Sequence, residues 1–169
     1  MKFSINQQDL QKSLSYCQGV IEKRSTLPIL SNVLLDVRNG KLTITATDLD
    51  IIFIHQISNI EILEEGKTTT SSSIMYDIVR KFSSGKKINF SNPSENKLQL
   101  ESEKSVFNLN CINASEFPLT DENFNQNEFV IKSKELLKLL NKCKFSVSND
   151  ETRHYLTGIF FHQTQIEDK

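Results

Sequence analysis

The chain has 169 residues, 37% of them hydrophobic and 24% charged, with 20 basic and 21 acidic side chains and a formal net charge of −1. That length holds one full domain, or one domain plus part of another, and the apolar content supports a buried core. A near-neutral chain carries no bulk attraction for nucleic acid or anionic membrane, so any polyanion site has to come from local arrangement.

Residues 2–5 read as a short strand. A helix over about 8–21 follows, with Leu10, Leu14, Cys17 and Ile21 at helical spacing. Residues 24–28 are turn-like, because the residue before Pro28 is pushed out of helical space. Segments 29–37, 41–47 and 51–57 are short and β-branched, and Asn39-Gly40 joins the first two as a hairpin signal. Both alternating faces of 51–57 are apolar, which predicts a strand covered on both sides or lying at an interface. Ser71, Ser72 and Ser73 offer N-caps for a helix over about 73–82, with Ile74, Ile78 and Phe82 as its stripe and Gly85 beyond its end. Three alternating segments, 88–90, 96–100 and 105–110, predict a meander with Pro93 in a turn. Residues 113–128 are polar and irregular. A new cycle begins at Phe129: strand 129–132, helix 133–144, a polar loop, then a strand within 156–161.

This second cycle repeats the first. Shifted by 126 residues, the stretch Phe3–Leu35 aligns without a gap on Phe129–Phe161, with Phe3/Phe129, Ile5/Ile131, Leu10/Leu136, Lys12/Lys138, Leu14/Leu140, Cys17/Cys143, Thr26/Thr152 and Leu30/Leu156 identical. Average amino-acid usage gives about two identities by chance over such a length. The predicted organisation is a first domain at 1–122, a linker at 123–128, and at 129–169 the beginning of a second domain, truncated.

Motifs for chemistry are weak. Gly66-Lys67-Thr68 lacks the glycine a phosphate-binding loop needs, since Glu61 stands there. Asp48 and Asp50 read as turn residues. His55, His154 and His162 share no ligand spacing, so no metal and no cofactor is expected. Cys17, Cys111 and Cys143 are too scattered for a disulfide framework and fit a reducing compartment. No apolar run approaches the roughly 20 residues of a membrane span, and the N-terminus turns polar too early for a signal peptide. A cytoplasmic protein without a membrane partner is the expectation. The positive charges are better arranged. Lys134, Lys138 and Lys142 line one face of the third helix, Lys12 sits among glutamines and serines on the first, and Arg80 and Lys81 lie on the second. A neutral-to-basic face on each helix suits sequence-independent contact with phosphates.

At RSTLPILSNVLL (24–35), with TDLD at 47–50, the chain resembles the bacterial DNA polymerase III beta subunit, the sliding clamp. GKTTTSSSIMYDIVRKF (66–82), EFP (116–118) and FSVSNDETRHYLTGIFF (145–161) extend the resemblance over essentially the whole chain. It implies an α+β DNA-clamp fold: tandem domains, each with antiparallel sheets and two helices, and a ring of two head-to-tail protomers around duplex DNA. The ring tethers the replicative DNA polymerase, is handled by a clamp loader and catalyses nothing. The resemblance places Arg24, Arg80, Lys138, Asn149, Asp150, Arg153 and His154 toward DNA. Asp150 and His154 depart from the residues common there, and Asp150 would repel phosphate. Met75, Ile78, Lys104 and Phe107 fall on the subunit-joining edge. Tyr155 and Leu156 fall in the groove that binds polymerase peptides. The strand edge near Lys104–Asn110 would lack its partner, and Ile159 and Phe161 would be exposed. Two rival readings are a peptide-binding or regulatory module with no DNA role, and a hydrolase with an unrecognised site.

Overall fold

Alternating apolar side chains build an antiparallel scaffold in the first two-thirds of the chain. The computed structural model describes residues 1–21, 26–119, 129–150 and 152–162. The chain divides into two units, Met1–Thr120 and Asp121–Lys169.

The first unit runs β1 (Lys2–Asn6), α1 (Gln7–Cys17), a 3-10 turn (Pro28–Ser31), β2 (Asn32–Arg38), β3 (Lys41–Thr47), β4 (Ile52–Ile57), β5 (Ile60–Glu64), β6 (Gly66–Ser71), α2 (Ser72–Val79), β7 (Lys87–Ser94), β8 (Lys97–Ser102) and β9 (Ser105–Ile112). The strand order is β4-β3-β2-β6-β9-β8-β7-β1-β5. Asn39 and Gly40 sit at φ 51° and 75°, the left-handed pair that a two-residue hairpin between β2 and β3 requires.

One core joins the sheet to the helices. Phe3 and Phe90 stack with ring centroids 4.7 Å apart. Leu10, Leu14 and Cys17 of α1, and Met75 and Val79 of α2, are buried against Leu35, Val37, Leu42, Ile44, Ile88, Leu98 and Leu100. Each large aliphatic or aromatic side chain so placed contributes about 1.5–3 kcal/mol of burial. Gln7 is buried too, and its Nε2 donates to Gln11 Oε1 at 2.7 Å and to the Val79 carbonyl at 2.9 Å, tying α1 to α2. Side chains alternate across β2, so Leu34 faces away from Val33 and Leu35. It is nevertheless buried, as are its register partners Thr45 and Thr69. Leu30 and Phe117 are buried outside the main core, and their segments pack on β2 and β6 as a thin outer layer.

Several expectations change. α2 buries Met75 and Val79, whereas Ile74 is 54% exposed and Ile78 and Phe82 are half-buried. This short helix is apolar on two faces, and the sheet beneath chose the other one. Strands β5 and β6, which the residue pattern left unassigned, complete the sheet. Pro93 lies within β7 at a break in its register with β8, not in a turn. β4 is an edge strand whose inner row is partly covered while Ile52 and Ile54 stay exposed, so it is not covered on both sides.

The second unit contains α3 (Ser133–Cys143) and two 3-10 turns, Lys144–Ser146 and His154–Leu156. None of its described residues is buried. The expected strands at 129–132 and within 156–161 are absent from the described residues, because strands need ladder partners. Phe129 and Phe161 still meet as stacked rings 6.0 Å apart.

Candidate nucleic-acid interface

Burying Leu10, Leu14 and Cys17 inward turns the opposite face of α1 to solvent. Capping by the Asn6 side chain, which accepts from the Gln8 amide at 2.9 Å, starts the helix so that Gln8, Lys12 and Ser15 face outward. α2 begins under the Ser71 hydroxyl and ends at Arg80, leaving Asp77, Arg80 and Lys81 exposed. Between the helices lies an open groove of about 490 Å³, lined by Gln8, Gln11, Lys12, Ser15, Tyr76 and Arg80 among others. Gln8 Nε2 closes one end on Ser84 Oγ at 2.6 Å.

Arg80 is already engaged. Its guanidinium lies 3.2 Å from the Asp77 carboxylate and 5.9 Å from the Tyr76 ring centroid. Both charges are exposed, so the pair is weak and a phosphate can compete for the arginine. The i,i+3 spacing of Asp77 and Arg80 was legible in the sequence, and the neutralising partner was missed. Arg24 lies outside the described residues.

In the second unit, Lys138 is exposed on α3 and Asn149 is exposed in the following loop. Asp150 organises that loop: its carboxylate accepts from Thr152 N at 3.0 Å, Thr152 Oγ1 at 2.6 Å and Arg153 Nε at 2.8 Å. The Thr152 hydroxyl first, then the Thr152 amide and Arg153, hold the Asp150 carboxyl below its usual range. Asp150 and Arg153 therefore occupy each other. His154, Tyr155 and Leu156 form an exposed 3-10 turn, with Ser148 N donating to the Leu156 carbonyl at 2.9 Å.

Of the residues expected on the joining edge, three lie at or near the surface and one does not. Lys104 turns the β8–β9 hairpin, and Phe107 on β9 is 39% exposed and edge-on to Phe82 at 5.7 Å. Ile78 of α2 is half-buried. From Ser105 to Leu109, β9 has no strand on its second edge among the described residues. Met75 does not belong to a surface: it is wholly buried in its own core, and its side chain cannot meet a partner. The most exposed apolar residues of these elements are Ile74 and Val106, with Phe107 next.

Among the described residues no cluster of His, Cys, Asp or Glu could hold a metal ion. Burial pushes the Cys17 thiol up to about 12 and raises Cys111 as well, which keeps both protonated.

An α+β unit with a polar helical surface and open strand edges is the architecture at hand. The profile of the DNA polymerase III beta subunit, N-terminal domain, matches residues 1–121. The chain belongs to that family. The beta sliding clamp of Caulobacter vibrioides (strain NA1000 / CB15N) is 34% identical over 164 residues, 96% of this chain and 44% of the relative. That of Escherichia coli K12 is 32% identical over 168 residues, covering 99% of this chain and 45% of the relative. A crystal structure of the Caulobacter crescentus beta sliding clamp superposes with a TM-score of 0.91 at 34% identity, covering 96% of this chain and 43% of that one. The DNA polymerase III subunit beta of Pseudomonas aeruginosa gives 0.86 at 31% identity, over 94% and 42%. The chain thus spans a little under half the length of the relatives it matches.

Proposed function

We propose that this chain is part of a sliding clamp, a non-catalytic subunit that encircles duplex DNA and tethers a DNA polymerase. Residues 1–122 serve as the first clamp domain, 123–128 as a linker and 129–169 as the start of the second. The observation that carries this reading is the solvent face shared by α1 and α2. It bears Lys12, Arg80 and Lys81 among glutamines and serines, a surface suited to phosphates and not to base edges. In this reading Arg24, Lys138, Asn149, Arg153 and His154 also contact DNA, and Asp150 sets the loop that carries Arg153. Ile78, Lys104 and Phe107 on the open β9 side join the partner protomer of a homodimer, and Tyr155 and Leu156 contribute to a groove for polymerase peptides. The clamp loader is the other partner, and the protein works in the cytoplasm. Duplex binding, measured against salt on several unrelated sequences, tests the proposal. Lys12→Ala and Arg24→Ala should weaken binding equally on all of them and each lower the salt slope by about one phosphate contact. Binding that depends strongly on DNA sequence, or shows no salt dependence, would overturn it.

A further inference from the structure

An apolar cleft in the outer layer of the first unit shares no lining residue with the α1–α2 groove among the described residues. It encloses about 380 Å³ between Pro28, Leu30, Leu49, Ile112 and Pro118, and Glu116 is the one charged residue of its lining among the described residues. That volume lies in the range of side-chain and small-ligand pockets. Leu30 forms the floor at 2% exposure, and Leu49 stands on the rim at 55%.

Leu49 is held there against its own preference. Its φ is +84°, a left-handed conformation that a bulky side chain rarely adopts. The turn is pinned by side chains: Leu49 N donates to Thr47 Oγ1 at 3.0 Å, and Asp48 Oδ1 accepts from Asp50 N at 3.0 Å and Ile51 N at 2.7 Å. Strain that displays a large apolar group to solvent points to a use for that group. Ile51, just before β4, and Ile52 and Ile54 within that edge strand are exposed as well, at 56%, 40% and 46%.

We propose that this cleft docks an extended segment of a partner protein. One leucine- or phenylalanine-sized side chain enters between Leu30 and Leu49, and a lysine or arginine of the segment meets Glu116. Charge selects this occupant. Glu116 in the lining, with Asp48 and Asp50 on either side of Leu49, repels phosphate and acidic peptides. A wholly apolar segment would desolvate the Glu116 carboxylate without pairing it.

The test is fluorescence anisotropy on the full 169-residue chain. The probe is a labelled peptide Gly-Lys-Leu-Phe-Leu-Lys-Gly, beside a twin with glutamates in place of its lysines. The basic peptide should bind saturably and at least tenfold more tightly than its twin, and Glu116→Lys should reverse that order. Leu49→Gly relieves the backbone and removes the rim side chain, so it should hold or raise the thermal midpoint while weakening binding at least tenfold. No saturable binding, equal binding of the twins, or unchanged binding by Leu49→Gly would overturn the proposal. So would binding lost on Phe160→Ser in the second unit and kept by Leu49→Gly.

Discussion

α1 and α3 carry the same pattern and meet different fates. Leu10, Leu14 and Cys17 correspond to Leu136, Leu140 and Cys143 in the repeat. The first three are at most 1% exposed, while Leu140 is 37% exposed and Cys143 lies open. The preceding strands differ in the same way: Phe3 is 1% exposed in a paired β1, and Phe129 is 55% exposed outside any strand. An amphipathic helix does not bury its own stripe. Burial comes from β3, β4 and α2, which follow later in the chain and close over α1 from a distance in sequence. The described part of the second unit has no counterpart of those elements around α3.

The largest expected effect separates the two helices by stability. Leu14→Ala should cost about 2–5 kcal/mol in denaturant unfolding of the full chain, since it opens a cavity in a packed core. Leu140→Ala should cost less than about 0.5 kcal/mol. Comparable losses would mean that α3 is packed in solution and would break the contrast.

Thiol chemistry gives the next contrast. A disulfide reagent should modify Cys143 in the native protein, Cys111 more slowly, and Cys17 roughly a thousandfold or more slowly, through opening of the core. Equal rates at Cys17 and Cys143, followed by mass spectrometry of labelled peptides, would show that α1 is loosely held.

The charged faces sharpen the comparison at a smaller scale. Lys12 has no ion pair among the described residues, whereas Arg80 is paired with Asp77. Lys12→Ala should therefore reduce the salt slope of duplex binding by about one, and Arg80→Ala by less. Asp77→Asn should raise duplex affinity severalfold at low salt. A fall in affinity for Asp77→Asn would show that the pair positions the arginine.

The smallest effect concerns the Asp150 loop. Its folded carboxyl titrates below the ordinary aspartate value of about 3.9. The bonds to Thr152 and Arg153 are therefore fully present above that value and are lost as pH falls through the lowered one. Amide signals of Thr152 and Arg153 should move with a midpoint below the ordinary aspartate value. Movement that is complete before pH 4 would place Asp150 outside the hydrogen bonds described above.

Much of the first unit could be read from local patterns. The α1 stripe, the Asn39-Gly40 hairpin, the serine cap of α2 and the three-strand meander each rest on neighbours within a few residues, where spacing and turn chemistry act directly. The 126-residue repeat and the TLPIL and TDLD segments pointed to the family. The polar, basic character of the α1 and α2 surfaces was equally legible, because charge and amide side chains seldom turn inward.

Other features are settled by long-range packing, and no short window contains them. α2 offers two apolar rows, Ile74 with Ile78 and Met75 with Val79, and periodicity ranks them about equally. The sheet buried the second, and with it Met75 left the list of surface residues. β5 and β6 become strands because β1 and β2 offer them ladders, not because their own composition demands it. The segments at 129–132 and 156–161 have strand composition but no ladder among the described residues, so they form no strand there. Even the exposed Leu49 and the cleft beneath it arise from segments far apart in sequence, 28–30, 47–51 and 112–118, meeting on one outer face. Sequence alone determined the family, the repeat and the local elements, because those signals act over a few residues. Which apolar groups are buried was decided by tertiary structure, because burial depends on surfaces that arrive from elsewhere in the chain.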